Sequence, residues 1–347
     1  MSLRFRRSMK LMPGVRLNFN KNSIGMSLGV PGARYTINSK GRKTFTTGIP
    51  GTGIYNVETI SNSRRTSNGD YSVKADEHTD PLPKPTLISS KSEKVFYKLI
   101  EDLYIDQNLK ETSEIINRLK SIRESFPELK LPLELLAFIY AIQNKDYDEK
   151  ASTWISKIWP NRDQLFKDPI VEKYFGFIIP KTQITQGITS DEPFNAQALG
   201  YIYAEVLQTE KKFKEALEVL HEIHPDQITA ISIADIELIM GDFDAAIETT
   251  EDIENEDDAT AMLLVLRGVA FREKGLYEAS LECFKRSLKQ KDRKEELLHR
   301  ALFERSETYI RMNRRAMARK DLEKILVDEP NYPEVKEKLK SITSSVN

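Results

Sequence analysis

The sequence predicts a mainly α protein, a right-handed solenoid of repeated helix pairs preceded by a small antiparallel β module. Three observations carry this expectation. Small residues recur at Ala216, Ala246, Ser280 and Ala318, spaced 30, 34 and 38 apart, and self-similarity near this length marks stacked helix–turn–helix units. Pro-Gly pairs recur at residues 13–14, 31–32 and 50–51, between stretches that alternate apolar and polar residues. After residue 91 the apolar period changes from about two to about 3.6, which is the change from strand to helix.

Residues 1–57 read as a basic β module. Val15, Leu17 and Phe19 alternate with Arg16 and Asn18; Ile24, Met26, Leu28 and Val30 follow with the same period, then Tyr35 and Ile37 against Arg34 and Thr36. One apolar and one polar set at period two describe a half-buried antiparallel sheet. In each Pro-Gly pair proline fixes φ at the first central turn position and glycine accepts positive φ at the second, so type II turns are expected there. Asn38-Ser39-Lys40-Gly41 reads as a further hairpin turn, with a strand from Lys43.

Residues 58–91 are rich in Ser, Asn, Thr, Asp and Pro and read as a flexible linker, with Pro81–Pro85 a short extended spacer. Residues 92–167 form a helical subdomain, with Val95, Leu99, Leu103, Ile115, Ile116, Leu119 and Ile122 at helical spacing. Within it, residues 134–158 have a helix–turn–helix pattern in which Lys150 replaces the small residue, a degenerate repeat. Residues 168–193 are β-branched and aromatic, punctuated by Pro180, Gly187 and Pro193, and predict a hairpin or irregular insertion. Residues 194–347 hold the repeats. Each small residue follows Phe213, Phe243, Tyr277 or Arg315 by three and precedes Leu220, Thr250, Phe284 or Leu322 by four. A small side chain is required where two helices of a unit cross closely, because a larger one would push them apart.

The clearest unit, LRGVAFREKGLYEASLECFKRSL, places Gly268, Phe271, Gly275, Tyr277, Ser280 and Phe284 in a pattern that resembles the tetratricopeptide repeat family. The last unit fits through Ser306, Tyr309, Ala318, Leu322 and Pro330, and departs at the turn, where Asn313 and Arg315 replace the usual glycine and aromatic. The resemblance implies a binding groove lined by the first helix of each unit. Its offsets fall here on Tyr201, Glu205, Gln208, Asp235, Val269, Arg272, Glu307 and Arg311. That set lacks the Lys/Asn cluster with which chaperone-binding members grip a C-terminal carboxylate, so the expected ligand is another peptide, a helix or a protein. The opening segment also resembles a short uncharacterised bacterial β domain. The likeness rests on Leu3-Arg4-Phe5-Arg6-Arg7-Ser8, Pro13–Asn18, Gly32-Ala33-Arg34 and Gly48–Gly53, and it implies no activity.

Composition suits this reading. Of 347 residues 39% are apolar and 30% charged, as expected for a solenoid, which has more surface per residue than a globule. No window approaches the apolar length of a membrane-spanning helix, and the basic start MSLRFRRSMKLMPG has no apolar core of signal-peptide length. Cys283 is the only cysteine, which suits a reducing, cytoplasmic compartment; beside Phe284 it reads as a small buried hydrophobe. The net charge of −1 conceals an asymmetry: residues 1–65 carry twelve basic side chains against Glu58, so +11, and the remainder carries −12.

No catalytic set is discernible, and the expectation is a non-enzymatic scaffold without cofactor. Gly48–Gly53 lacks the Lys-Ser/Thr pair and the following helix of a phosphate loop. His221 and His224 lie on one helical face without further ligands and read as helix-end residues, so no metal is expected. Glu251-Asp252 and Glu256-Asp257-Asp258 read as solvated charges between repeats. The basic module supports an alternative, an adaptor that meets nucleic acid or another anionic surface through Arg4, Arg6, Arg7, Arg16, Arg42 and Lys43, with Phe5, Tyr35, Phe45 and Tyr55 interleaved. Docking on the protein's own acidic helices would satisfy the same charge. Neither pattern specifies an oligomeric state.

Overall fold

The structure is a computed structural model that describes residues 6–12, 15–20, 23–30, 33–38, 43–48, 55–60, 83–105, 112–143, 151–176, 180, 182–190, 192–332 and 334–344. The chain divides into two compact units. One comprises residues 5–181 and 191–199, the other residues 1–4, 182–190 and 200–347.

In the first unit, β1 (Arg6–Met12), β2 (Val15–Asn20), β3 (Ser23–Val30), β4 (Ala33–Asn38), β5 (Lys43–Gly48) and β6 (Tyr55–Ile60) pair in chain order as an antiparallel meander. Directly paired positions share a face. The register aligns Met9, Leu17, Met26 and Ile37 in one row and Val15, Leu28, Tyr35 and Phe45 in another, while Lys10, Arg16, Ser27, Thr36 and Thr44 form a polar row between them. The period-two pattern thus fixes the register, since a one-residue slip would exchange the two sets. The Pro-Gly turns and Asn38–Gly41 connection fall largely outside the described residues; β6 continues past residue 57 to Ile60.

The helical part of this unit opens at α1 (Lys91–Ile100), whose cap Ser90 accepts a hydrogen bond from the Glu93 amide. A single π-helical turn (Glu101–Ile105) follows. The buried stripe of α1 is Phe96, Leu99 and Ile100, with Val95 only half-buried. Then come α2 (Thr112–Ser125), α3 (Lys130–Gln143), α4 (Ala151–Ile158), α5 (Arg162–Leu165) and α6 (Pro169–Phe175). α3 is buried almost throughout and packs on α4. α6 corrects the expectation that residue 168 begins an irregular insertion. Asp168 caps it by accepting from the Ile170 and Val171 amides, and Pro169 occupies the first turn, where its missing N–H costs nothing. Tyr174 and Phe175 of α6 pack on Phe96, with ring centroids 6.0 and 6.3 Å away. The hairpin itself is shorter, β7 (Thr182–Thr185) and β8 (Ile188–Ser190), and belongs to the second unit.

The division falls inside α7 (Ala196–Thr209), after Leu199. α8 (Phe213–His221), α9 (Gln227–Met240), α10 (Phe243–Thr249), α11 (Asp258–Glu273), α12 (Tyr277–Ser287), α13 (Glu295–Arg311), α14 (Arg315–Asp328) and α15 (Val335–Ser344) follow. They form a tetratricopeptide-like right-handed solenoid in which α9/α10, α11/α12 and α13/α14 pack as pairs, preceded by α7 and α8 joined by a turn and followed by α15 against the last pair. All four small residues, Ala216, Ala246, Ser280 and Ala318, are 0% exposed. So are Thr250, Phe284 and Leu322, with Leu220 at 1%. Ser280 replaces alanine because its hydroxyl meets that of Thr308 on α13 at 3.1 Å. Gly268 is small for a related reason, since a Cβ there would lie 2.8 Å from the Phe284 ring.

The turns inside the pairs share one hydrogen-bond pattern. Lys211, Gly241, Gly275 and Asn313 adopt left-handed φ of 62°, 81°, 77° and 58°. The amide after each reaches back to the carbonyl five residues earlier: Lys212 to Leu207, Asp242 to Glu237, Leu276 to Phe271 and Arg314 to Tyr309, at 2.8–2.9 Å. The left-handed residue's own amide donates to the carbonyl three before it. This paired arrangement satisfies carbonyls that a helix end otherwise leaves open. It starts every second helix two residues later, which sets the small residue five positions beyond the turn. Between pairs, Asp226 and Asp257 cap α9 and α11; the acidic run expected to be merely solvated therefore contains a capping box of Asp257 with Thr260.

Candidate interaction face

The first helices of the pairs, α9, α11 and α13, contact one another in series. Their facing sides carry a buried ionic cluster. Arg272 of α11, 5% exposed, donates through Nη1 to the Glu304 carboxylate of α13 at 2.7 Å and to the Glu304 carbonyl at 3.1 Å. Its Nε donates to Glu273 at 3.1 Å. Arg300 lies one turn before Glu304, its Nε 2.8 Å from the other carboxylate oxygen. Arg311 closes the set on Glu273 at 2.7 and 2.9 Å. Burial pushes the Glu304 carboxyl up, but Arg300 and Arg272 outweigh it and hold the group below the usual carboxylate range. Burial likewise disfavours the charged Arg272, and Glu304 with Glu273 more than restores it.

The eight residues expected to line a groove are distributed over several environments. Tyr201 is 2% exposed and ties α7 to the cap of α9, its hydroxyl donating to Asp226 at 3.0 Å and meeting Thr229 Oγ1 at 3.0 Å. Arg272 is inside the cluster just described, and Val269 is buried. Glu307 pairs with Lys338 of α15 at 2.8 Å. Asp235 is half-buried and acts electrostatically on Arg300. Glu205 and Gln208 on α7 are half-buried, and Arg311 is exposed while paired with Glu273. The structure therefore brings Arg272 and Arg311 together through Glu273 and places Tyr201 and Val269 away from the surface. The anchors that sequence reasoning missed, Glu304 and Arg300, had one readable signal: their four-residue separation on a helix.

The hairpin sits on this row of first helices. β7 packs on α9, β8 on α11, and the tip meets α13. Gln186 Nε2 donates to Tyr332 Oη at 2.9 Å. Gly187, at φ +93°, lies so close to α13 that a Cβ would be 3.0 Å from the Leu297 Cα and N. Thr182, Ile184, Thr185, Ile188 and Ser190 are buried.

Of the basic residues, Arg6 and Arg7 occupy consecutive positions of β1, opposite Asn20 and Phe19, and so belong to alternate register rows. Arg16 pairs with Lys10 and Lys43 with Ile60. Arg4 and Arg42 lie outside the described residues. Among the described residues no group of His, Cys, Asp and Glu is placed to hold a metal, and no helix is long and apolar enough to cross a membrane. His221 ends α8, exposed; His299 is buried against Asp328, 3.2 Å away. Cys283 is buried, and burial pushes its thiol up.

Residues 3–57 match a family described as a protein of unknown function, DUF4236. No curated protein matches the chain. Among solved structures, it is similar to the N-terminal domain of the EccA1 ATPase from the ESX-1 secretion system of Mycobacterium tuberculosis, at 14% identity over 72% of this chain and 88% of that one, with a TM-score of 0.50. It also matches the APC/C hetero-tetramer Cut9-Hcn1 (12% identity, 73% of this chain, 42% of that chain, TM-score 0.37) and a tetratricopeptide repeat protein from Parabacteroides merdae ATCC 43184 (13%, 72%, 99%, 0.36). The first of these likenesses supports the helical-repeat fold and no particular activity. The comparisons offer no support for a nucleic-acid partner.

Proposed function

We propose that the protein is a non-enzymatic, cytoplasmic interaction scaffold whose helical repeats hold a peptide or protein partner along their first helices. The observation that carries this reading is the row of α9, α11 and α13, which pack in series with a buried ionic cluster between α11 and α13, and across which an extended segment of the chain is laid. Such rows form the extended binding surfaces of repeat proteins. The domain division proposed with it is the basic module through β6, a linker between β6 and α1, the helical subdomain from α1 through α6, the hairpin β7–β8 and the repeats from α7 onward. Capture of partners from the native cell by the full chain, against a variant carrying Glu205→Ala, Gln208→Ala and Arg311→Ala, tests it. These three positions are half-buried or exposed, unlike Tyr201 and Arg272, and since Arg311→Ala gives up the pair with Glu273, thermal unfolding of the variant verifies that it is folded. The scaffold reading expects a protein recovered with the parent chain and depleted with the variant; equal recovery removes this face as the binding site.

A further inference from the structure

The residues of the hairpin, TQITQGITS, carry no charge. Most of them are nevertheless buried, and through Tyr332 they lie beside a cluster in which Arg272, Arg300 and Arg311 are balanced by Glu304, Glu273 and Asp235. A seat whose neighbouring charges are satisfied internally favours an uncharged occupant, because a charged one would be desolvated without a partner. The seat also reads main chain: at Gly187 the approach to Leu297 is backbone on backbone, with no room for a side chain. Its specific polar reader is the Tyr332 hydroxyl, which takes the Gln186 amide. The fit is incomplete, since Thr182 Oγ1 is buried without a hydrogen-bond partner. A two-stranded hairpin has little stability of its own, so it holds its shape by resting on the helices, and once off them it would not persist as a folded competitor.

We propose that this seat, formed by α9, α11, the first turn of α13 and Tyr332, is the interaction surface of the scaffold, and that its partner is an extended, uncharged segment rich in Thr, Gln and Ile that takes the place of the hairpin. The hairpin is then a resident competitor, and partner affinity is set by how often it vacates the seat. This rests on the scaffold reading above and adds the chemistry of the partner.

The test uses the full chain and a fluorescent peptide of sequence TQITQGITS. A hairpin seated in about 90–99% of molecules lowers the apparent affinity by about 10- to 100-fold, and a variant that unseats it recovers that factor. Gly187→Ala crowds the tip against the Leu297 backbone and strains the left-handed turn, which weakens the seating. Tyr332→Phe removes only the hydroxyl that holds Gln186 and keeps the ring packed. Both are expected to bind the peptide more tightly than the parent chain, the first by about tenfold or more. In the parent chain, added peptide should also accelerate hydrogen exchange at residues 182–190. Thermal unfolding verifies that each variant is folded; should Gly187→Ala fail to fold, Tyr332→Phe decides alone. Unchanged peptide affinity in folded variants overturns the proposal, as does a peptide-independent dimer of Gly187→Ala, which would make a second copy's hairpin the occupant. If the peptide result fails while the surface variant above still loses its partner, the displacement mechanism falls and the scaffold reading stands. Loss of neither partner nor peptide removes both.

Discussion

Two kinds of residue hold the solenoid, and they respond differently to substitution. Gly241 and Gly275 have open space where a Cβ would stand, with nothing within 4 Å. Any cost of alanine there comes from the left-handed backbone alone. Gly275→Ala is therefore expected to destabilise by about 1–2 kcal/mol without disturbing neighbouring side chains, measurable as a lower urea midpoint at unchanged slope. Glu304 is the opposite case, a side chain whose value lies wholly in its partners. Glu304→Gln leaves Arg272 and Arg300 buried with much of their compensation gone, a loss of about 3–5 kcal/mol. The pH dependence carries the matching sign. Because the folded carboxyl is held below its ordinary value near 4.5, its contribution is present above that value and is lost as pH falls through the folded one. The parent chain should lose stability on that acid limb, and Glu304→Gln should flatten it; an unchanged limb would show that Glu304 does not carry the effect.

At the scale of elements, the helix pairs are the unit of construction, and their crossings leave no slack. Ala318 is fully buried among Leu302, Leu322 and Ile325 of the last core. Ala318→Leu is expected to overpack that crossing and cost about 1–3 kcal/mol, with Ala246→Leu behaving alike; thermal unfolding of the two variants checks both. This is also the scale at which the sequence was most readable. The spacing of the small residues located four pairs, and alternation with Pro-Gly turns located the strands of a sheet whose register follows from its apolar rows. Gly241, Gly275 and Asn313 are residue types that accept left-handed φ, so three of the four turns were legible. Lys211 was not, because nothing in a lysine side chain favours that conformation and only its neighbours' packing imposes it. The helix at Pro169 was hidden by the aromatic and β-branched residues that follow it, although Asp168-Pro169 is a capping signal. The hairpin's place could not be read at all: the Gln186–Tyr332 contact spans 146 residues, and no local periodicity encodes such a pairing. The same limit applies to the groove residues, since family offsets located the first helices but not which of their positions the next helix or the hairpin covers.

For the whole molecule, the expected division between the basic module and the helices makes a simple demand. Limited proteolysis should cut first within residues 58–91, whose composition has few apolar groups to bury; early cleavage within 260–330 instead, read by mass spectrometry of the first fragments, would overturn the division. The opposite charges of the two parts set a second length scale for association, because attraction between solvated surfaces fades beyond about a Debye length, roughly 8 Å at physiological salt. The last helix has a consequence of another kind. α15 lays Val335 and Ile342 on the core of the final pair and turns Lys336, Glu337, Lys340 and Ser341 to water. A stack of identical modules that ends in bare apolar surface invites a copy of itself to continue the stack, and head-to-tail continuation without closure makes fibres. The side of α15 that faces away from this core is charged and polar instead, so it offers a second copy no apolar surface on which to continue the stack.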